Sequence, residues 1–228
     1  MRNTPPQPDR PITEGYRDEP WAADHGVLDS AFFARNTAKV ARDLIGCLLV
    51  STKGGTPTGG RIVETEAYLG HDDVGSHAAT RGITKRNAVM FGEPGRAYVY
   101  FTYGNHHMLN LVTEPEGTAG AVLIRAIEPL VGLEVMELRR RGRPERELTN
   151  GPGKLASALG LDLKDNGSTL GAGQISVHAS AIDDVPITTT GRVGLSVGWE
   201  APLRFHLTDS PWVSKGRTGP LLRGPRHE

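Results

Sequence analysis

Along this chain the spacing of apolar positions changes period several times, and each change marks an element. Leu28 to Val50 reads as helix, turn, helix, strand. Asp29 or Ser30 can cap a first short helix, and Asn36 a second that turns Val40 and Leu44 inward. Gly46 is placed to stop the second helix, and Cys47 to Val50 continues as a buried strand. After a turn region from Ser51 to Gly60, the stretch Arg61 to Tyr68 (RIVETEAY) alternates with period two. That alternation sets Ile62, Glu64, Glu66 and Tyr68 on one face.

Leu69 to Arg96 has little periodicity, and a loop of that length in a compact domain is usually functional. Ala97 to Tyr103 and His107 to Thr113 are predicted to form a hairpin across Gly104-Asn105. Ala121 to Glu128 (AVLIRAIE) is a strong strand expected to end at Pro129, with an amphipathic helix following over Val131 to Arg141. Gly151-Pro152-Gly153 opens another helix through about Leu159. Ile175 to Ser180, Arg192 to Ser196 and Leu203 to Leu207 are further strand candidates. No internal repeat is found. The fold expected is a single α+β domain: a mostly antiparallel curved sheet flanked by α-helices. The domain is assigned to residues 23–215, between a disordered tail of residues 1–22 and a flexible one of residues 216–228.

Composition adds exclusions. No apolar run approaches the roughly 20 residues that a membrane span needs, and the Pro- and Arg-rich start lacks the apolar stretch of a signal peptide. A single cysteine excludes an internal disulfide and any multi-cysteine metal site. A cytoplasmic or nucleoid protein is expected. The formal net charge of zero leaves nucleic-acid binding open, because binding depends on how basic residues cluster. Arginine supplies 20 of the 26 basic residues and suits phosphate through its forked donors.

Three features carry chemistry. Glu64 and Glu66 lie two residues apart on one strand, roughly 7 Å from each other, a separation used by paired glycosidase carboxylates; they can equally be two solvated acids. Four of the five tyrosines (Tyr68, Tyr98, Tyr100 and Tyr103) fall within one stretch. Such rings serve as half-buried sheet residues or as platforms for stacking a purine. Arg125 interrupts an apolar strand face shared with Leu123 and Ile127; it either pairs with a carboxylate such as Glu66 or snorkels to solvent. A metal reading of His71, Asp72, Asp73, His77 and the His106-His107 pair is disfavoured, since no ligand motif at helical spacing occurs. Gly151-Pro152-Gly153-Lys154 lacks the spacing of a phosphate loop.

RIVETEAYLG (Arg61 to Gly70), the His77 and Arg86-Asn87 loop, MFGEPGRAYVYFTYG (Met90 to Gly104) and VLIRAIEP (Val122 to Pro129) together resemble the alkyladenine (3-methyladenine) DNA glycosylase family. NGPGKL (Asn150 to Leu155), RVG (Arg192 to Gly194) and PLRF…SPWVS (Pro202 to Ser214) extend the resemblance over nearly everything except the tails. It implies a monofunctional enzyme of base excision repair, without cofactor or metal. Such an enzyme flips alkylated or deaminated purines from double-stranded DNA and hydrolyses their N-glycosidic bond. A monomer is expected.

By the resemblance, Glu66 is the general base, and Arg125 with the backbone carbonyl of Val193 holds the water. Tyr68 and Tyr100 sandwich the base while His77 reads its edge, Asn110 crowds the exocyclic amine of guanine, and Tyr103 plugs the duplex from a hairpin that inserts into DNA. Glu64 has no catalytic counterpart. Asn105-His106-His107 departs from the more apolar tip of animal members, which bears on the grip on the opposite strand. A bifunctional glycosylase/lyase, which needs an amine such as Lys85, a carbohydrate glycosidase and a non-enzymatic lesion binder are the competing readings.

Overall fold

The computed structural model describes residues 26–76, 82–84, 86–102, 104–180, 184–216 and 218. The expectations for His77, Lys85, Tyr103, the N-terminal tail and most of the C-terminal tail fall outside these residues.

The two short helices form where the caps predicted them. The Asp29 side chain accepts from the Phe32 amide ahead of α1 (Ser30–Phe33), and Asn36 accepts from the Lys39 amide ahead of α2 (Thr37–Asp43). Val40 and Leu44 are fully buried, as the pattern requires. Then follow β1 (Leu48–Ser51), β2 (Thr58–Tyr68), β3 (Ala97–Thr102), β4 (His106–Val112) and β5 (Ala121–Val131). The chain continues through α3 (Leu133–Arg139), α4 (Pro152–Ala158), β6 (Ile175–His178), β7 (Ile187–Thr190) and β8 (Arg204–Leu207). The architecture is α+β, with one curled, wholly antiparallel sheet in the order β3-β4-β5-β2-β1-β6. Helices α2 and α4 contribute Val40, Ala41, Leu155, Ala156 and Ala158 to a core shared with Ile62, Val63, Ile124 and Ile127 of the central strands.

β2 is the organising strand. β5 runs along one side of it, while β1 pairs with its first half and β8 with Glu64 to Glu66 on the other. All but its last residue are buried, which corrects the simple inside–outside alternation expected for RIVETEAY. Two bulges break the β2–β5 ladder around the acidic pair. Ile62 faces Ile127 and Glu64 faces Ala126, so Val63 is an extra residue on β2. Glu64 faces Ala126 and Thr65 faces Ile124, so Arg125 is the extra residue on β5. A bulge re-aims the side chain it carries. Ile62 and Val63 therefore both join the core, and Arg125 parts from the core residue Ile127 while lining the same cavity as Leu123.

Two strand expectations need correction. β5 does not end at Pro129 but continues to Val131 through a third irregularity, opposite Gly60. Among the described residues β4 pairs only with Ala121 to Leu123, so β5 has no second neighbour there at Pro129 and the missing amide costs no ladder bond. Gly60 lets the backbones approach: a Cβ there would lie 1.9 Å from the Glu128 carbonyl oxygen. Arg192 to Ser196 is not a strand; among the described residues only Val193 makes an isolated bridge, to Thr218, and the partner of β8 besides β2 is the unanticipated β7.

Candidate functional site

Burial forces the three charges at the centre of the sheet into one network. Glu64 and Glu66 have no accessible surface and Arg125 is 6% exposed, which rules out both the solvated-acid reading of the glutamates and the snorkelling reading of the arginine. From its bulge, Arg125 reaches both carboxylates: Nε donates to Glu64 Oε1 at 2.8 Å and Nη1 to Glu66 Oε2 at 3.2 Å, while Nη2 donates to Ser214 Oγ at 3.2 Å. Burial alone would weaken its charge, but the facing Glu66 and Glu64 carboxylates outweigh that and hold it firmly cationic.

The two glutamates differ in how completely they are engaged. Glu64 Oε1 accepts from Arg125 Nε, from Arg204 Nε at 2.7 Å and from Ser214 Oγ at 2.9 Å. Its Oε2 accepts from the Ser214 amide at 2.7 Å. Burial pushes its pKa up, but the Arg125 and Arg204 charges and the Ser214 amide pull it below the ordinary carboxylate value. Glu64 is thus a fixed anion that orients two arginines. Glu66 takes three donors: Arg125 Nη1 and the Tyr68 hydroxyl (2.9 Å) on Oε2, and the Val193 amide (2.7 Å) on Oε1. An ionised carboxylate offers about four lone-pair sites, so Oε1 keeps room for one more donor. Burial first, then the charge of Glu66, drives the Tyr68 phenol well above its usual pKa, so it stays a neutral donor.

Beside this network opens a cavity of about 370 Å³, whose lining includes Tyr68, Tyr98, Tyr100, Asn110, Arg125 and Val193. Tyr98 and Tyr100 share one face of β3, with ring centroids 5.2 Å apart. Asn110, opposite Tyr98 on β4, is fixed by donating its side-chain amide to the Tyr98 carbonyl at 3.1 Å. Six of the eight expected site residues are therefore described, and all six gather at this cavity or directly behind it. Val193 does so through its N–H, a contact that the sequence did not suggest.

The sequence reading missed the clamp that holds this wall together. Arg192 has no accessible surface and forms a two-pronged pair with Asp73, Nη1 to Oδ2 and Nη2 to Oδ1, both at 2.6 Å. It also donates to the carbonyls of Ala67 and Gly198. Asp73, weighed from the sequence for a metal cluster, accepts in addition from the amides of Leu69 and Gly75. Thus it joins the loop after β2 to the segment that presents Val193. Arg204 and Ser214 were likewise read only as parts of motifs. Their roles follow from long-range contacts that single-strand patterning does not reveal. Among the described residues no group of three or more His, Cys, Asp and Glu is placed to hold a metal ion, and no helix is long and apolar enough to cross a membrane.

The family model of methylpurine-DNA glycosylase matches residues 31–211. A protein of Chlorobium luteolum is 50% identical over 83% of this chain and 97% of its own length. A protein of Carboxydothermus hydrogenoformans is 46% identical over 83% and 99%, and one of Methanoculleus marisnigri 47% identical over the same shares. Each of the three bears the name "Putative 3-methyladenine DNA glycosylase". With the match spanning the whole sheet and every residue of the charged network except Ser214, this chain belongs to the methylpurine-DNA glycosylase family.

Proposed function

We propose that the protein is a monofunctional DNA glycosylase that takes an alkylated or deaminated purine, of the 3-methyladenine type and including hypoxanthine, out of the duplex and hydrolyses its N-glycosidic bond. One observation carries the reading. A buried carboxylate with one acceptor site to spare, Glu66, lies directly behind Tyr68 and Arg125 in the wall of a cavity whose lining also includes Tyr98, Tyr100 and Asn110.

The chemistry follows from that placement. A base within the stack is out of reach, so it must be everted, and damaged or mispaired bases leave the stack at lower cost. Tyr68 and Tyr100 offer ring faces to the everted purine, and Asn110 crowds the position that an exocyclic amine of guanine would need. Glu66 accepts a proton from water as the water oxygen bonds to the anomeric carbon. The glycosidic electron pair leaves with the base, and an abasic sugar remains. Arg125 and the Val193 amide fix the Glu66 carboxylate, so the proton acceptor is preorganised rather than mobile.

A basic surface supports DNA as the partner. Lys154, beside the cavity residue Pro152, lies within electrostatic reach of Arg140, Arg143 and Lys215. Burial and these three cations lower its pKa against the opposing pull of Glu147. Such crowding of like charges is relieved by a phosphate backbone.

The test is cleavage of duplexes each carrying one defined lesion, with and without alkali. Abasic sites revealed only after alkali are expected. Strand scission without alkali, or a borohydride-trapped covalent adduct, identifies a lyase instead, and tight binding without base release identifies a lesion binder.

A further inference from the structure

Each of the two ring platforms of the cavity has an arginine guanidinium against it. The Arg192 guanidinium carbon lies 4.8 Å from the Tyr68 ring centroid, and that of Arg86 lies 4.7 Å from the Tyr100 centroid. Both tyrosines line the base cavity; neither arginine does. At Tyr100 the two sides are distinct. A second cavity, of about 250 Å³, is lined by Arg86 and Tyr100 together with Val99 and Phe101. Val99 and Phe101 alternate with Tyr98 and Tyr100 and so point to the other face of β3. Tyr100 thus stands between a guanidinium in one cavity and the base site in the other. Arg86 is held there by donating Nη2 to the Phe101 carbonyl at 3.1 Å, and Arg192 by Asp73.

An aromatic ring presents negative potential on both faces, and that potential attracts a cation. When one face already carries a guanidinium, π density is drawn toward it. A positive base stacked on the opposite face, roughly 8 Å from that charge, is also repelled. A neutral base loses almost nothing. Taking the glycosylase reading above as given, we propose that Arg86 and Arg192 are specificity-determining residues. They offset the advantage that bare tyrosine rings would give to positively charged alkylpurines, and so keep neutral purine lesions competitive for the same cavity. Arg86 is the cleaner handle: it is exposed and, among the described residues, meets the Phe101 carbonyl, the Tyr100 ring and the Tyr98 side chain, whereas Arg192 also anchors the fold.

The experiment compares single-turnover release of 7-methylguanine (cationic) and hypoxanthine (neutral) from otherwise identical duplexes by wild type, Arg86→Gln and Arg86→Lys. Binding of the same duplexes is measured in a Glu66→Gln background, a readout free of catalysis. Arg86→Gln is expected to raise the cationic-to-neutral ratio about two- to five-fold in both measurements, the weight of one exposed cation–ring contact. Arg86→Lys, which keeps the charge, should move it less. An unchanged ratio, a shift toward the neutral base, or equal loss on both substrates overturns the inference while leaving the glycosylase reading intact. A wild type that releases neither base overturns both.

Discussion

Replacing Glu64 by glutamine removes one negative charge from between two buried guanidinium groups while keeping the side chain's shape. The carbonyl of the new amide can still accept from Arg125 Nε, Arg204 Nε and Ser214 Oγ. Its NH₂ group, however, replaces the oxygen that now accepts from the Ser214 amide, setting donor against donor. Removing one partner of a buried ion pair costs about 3–5 kcal/mol, because the remaining charge stays desolvated. At about 2–4 °C per kcal/mol for a domain of this size, melting should fall by roughly 6–20 °C.

The effect also has a pH signature. The folded-state pKa of Glu64 is depressed, so its contribution is fully present above the unfolded carboxylate value of about 4.3 and disappears as pH drops through the lower folded value. The gap between wild type and Glu64→Gln, followed by calorimetry or circular dichroism from pH 7 downward, should therefore be constant near neutrality and close in acid. A variant that melts within about 2 °C of wild type at pH 7, or a gap that widens in acid, refutes the assignment of Glu64 as a fixed structural anion.

Asp73→Asn should strand the Arg192 cation and cost a comparable 3–5 kcal/mol or so. Adding Arg192→Met to it should recover part of that loss, and a double variant less stable than Asp73→Asn alone would contradict the clamp. Asn110→Ser frees space beside Tyr98 and should raise action on guanine-type lesions relative to adenine-type ones, by about ten-fold or more if crowding is the basis of selectivity. Competition between the two lesions in one reaction reads that ratio directly, and an unchanged value counts against crowding.

How much was legible in the sequence depended on whether the determining contact was local. Caps and apolar periodicity announced α1, α2 and the β3–β4 hairpin, since each follows from residues within a few positions of one another. The pairing of Arg125 with a carboxylate was legible too, because a guanidinium in an apolar strand must be neutralised. Which glutamate is structural and which keeps a free acceptor site was not legible in the strand pattern, and only the family resemblance set Glu66 apart from Glu64. That distinction rests on Arg204 and Ser214, which are 140 and 150 residues away from Glu64. The bulges at Val63 and Arg125 were equally hidden, since register belongs to two strands at once. Pro129 misled because a proline stops a strand only where its amide is needed. Arg192 sat unnoticed within a short motif, and its partner Asp73 lies 119 residues earlier.

The central claim is that Glu66 is the group that takes the proton of the attacking water. Its most direct test is single-turnover release of a purine lesion by Glu66→Gln, with lesion-duplex binding measured on the same preparation. Release should fall by about 10²–10⁴-fold, the usual weight of a general base, while affinity stays near that of wild type. Release within tenfold of wild type would remove Glu66 from the chemistry.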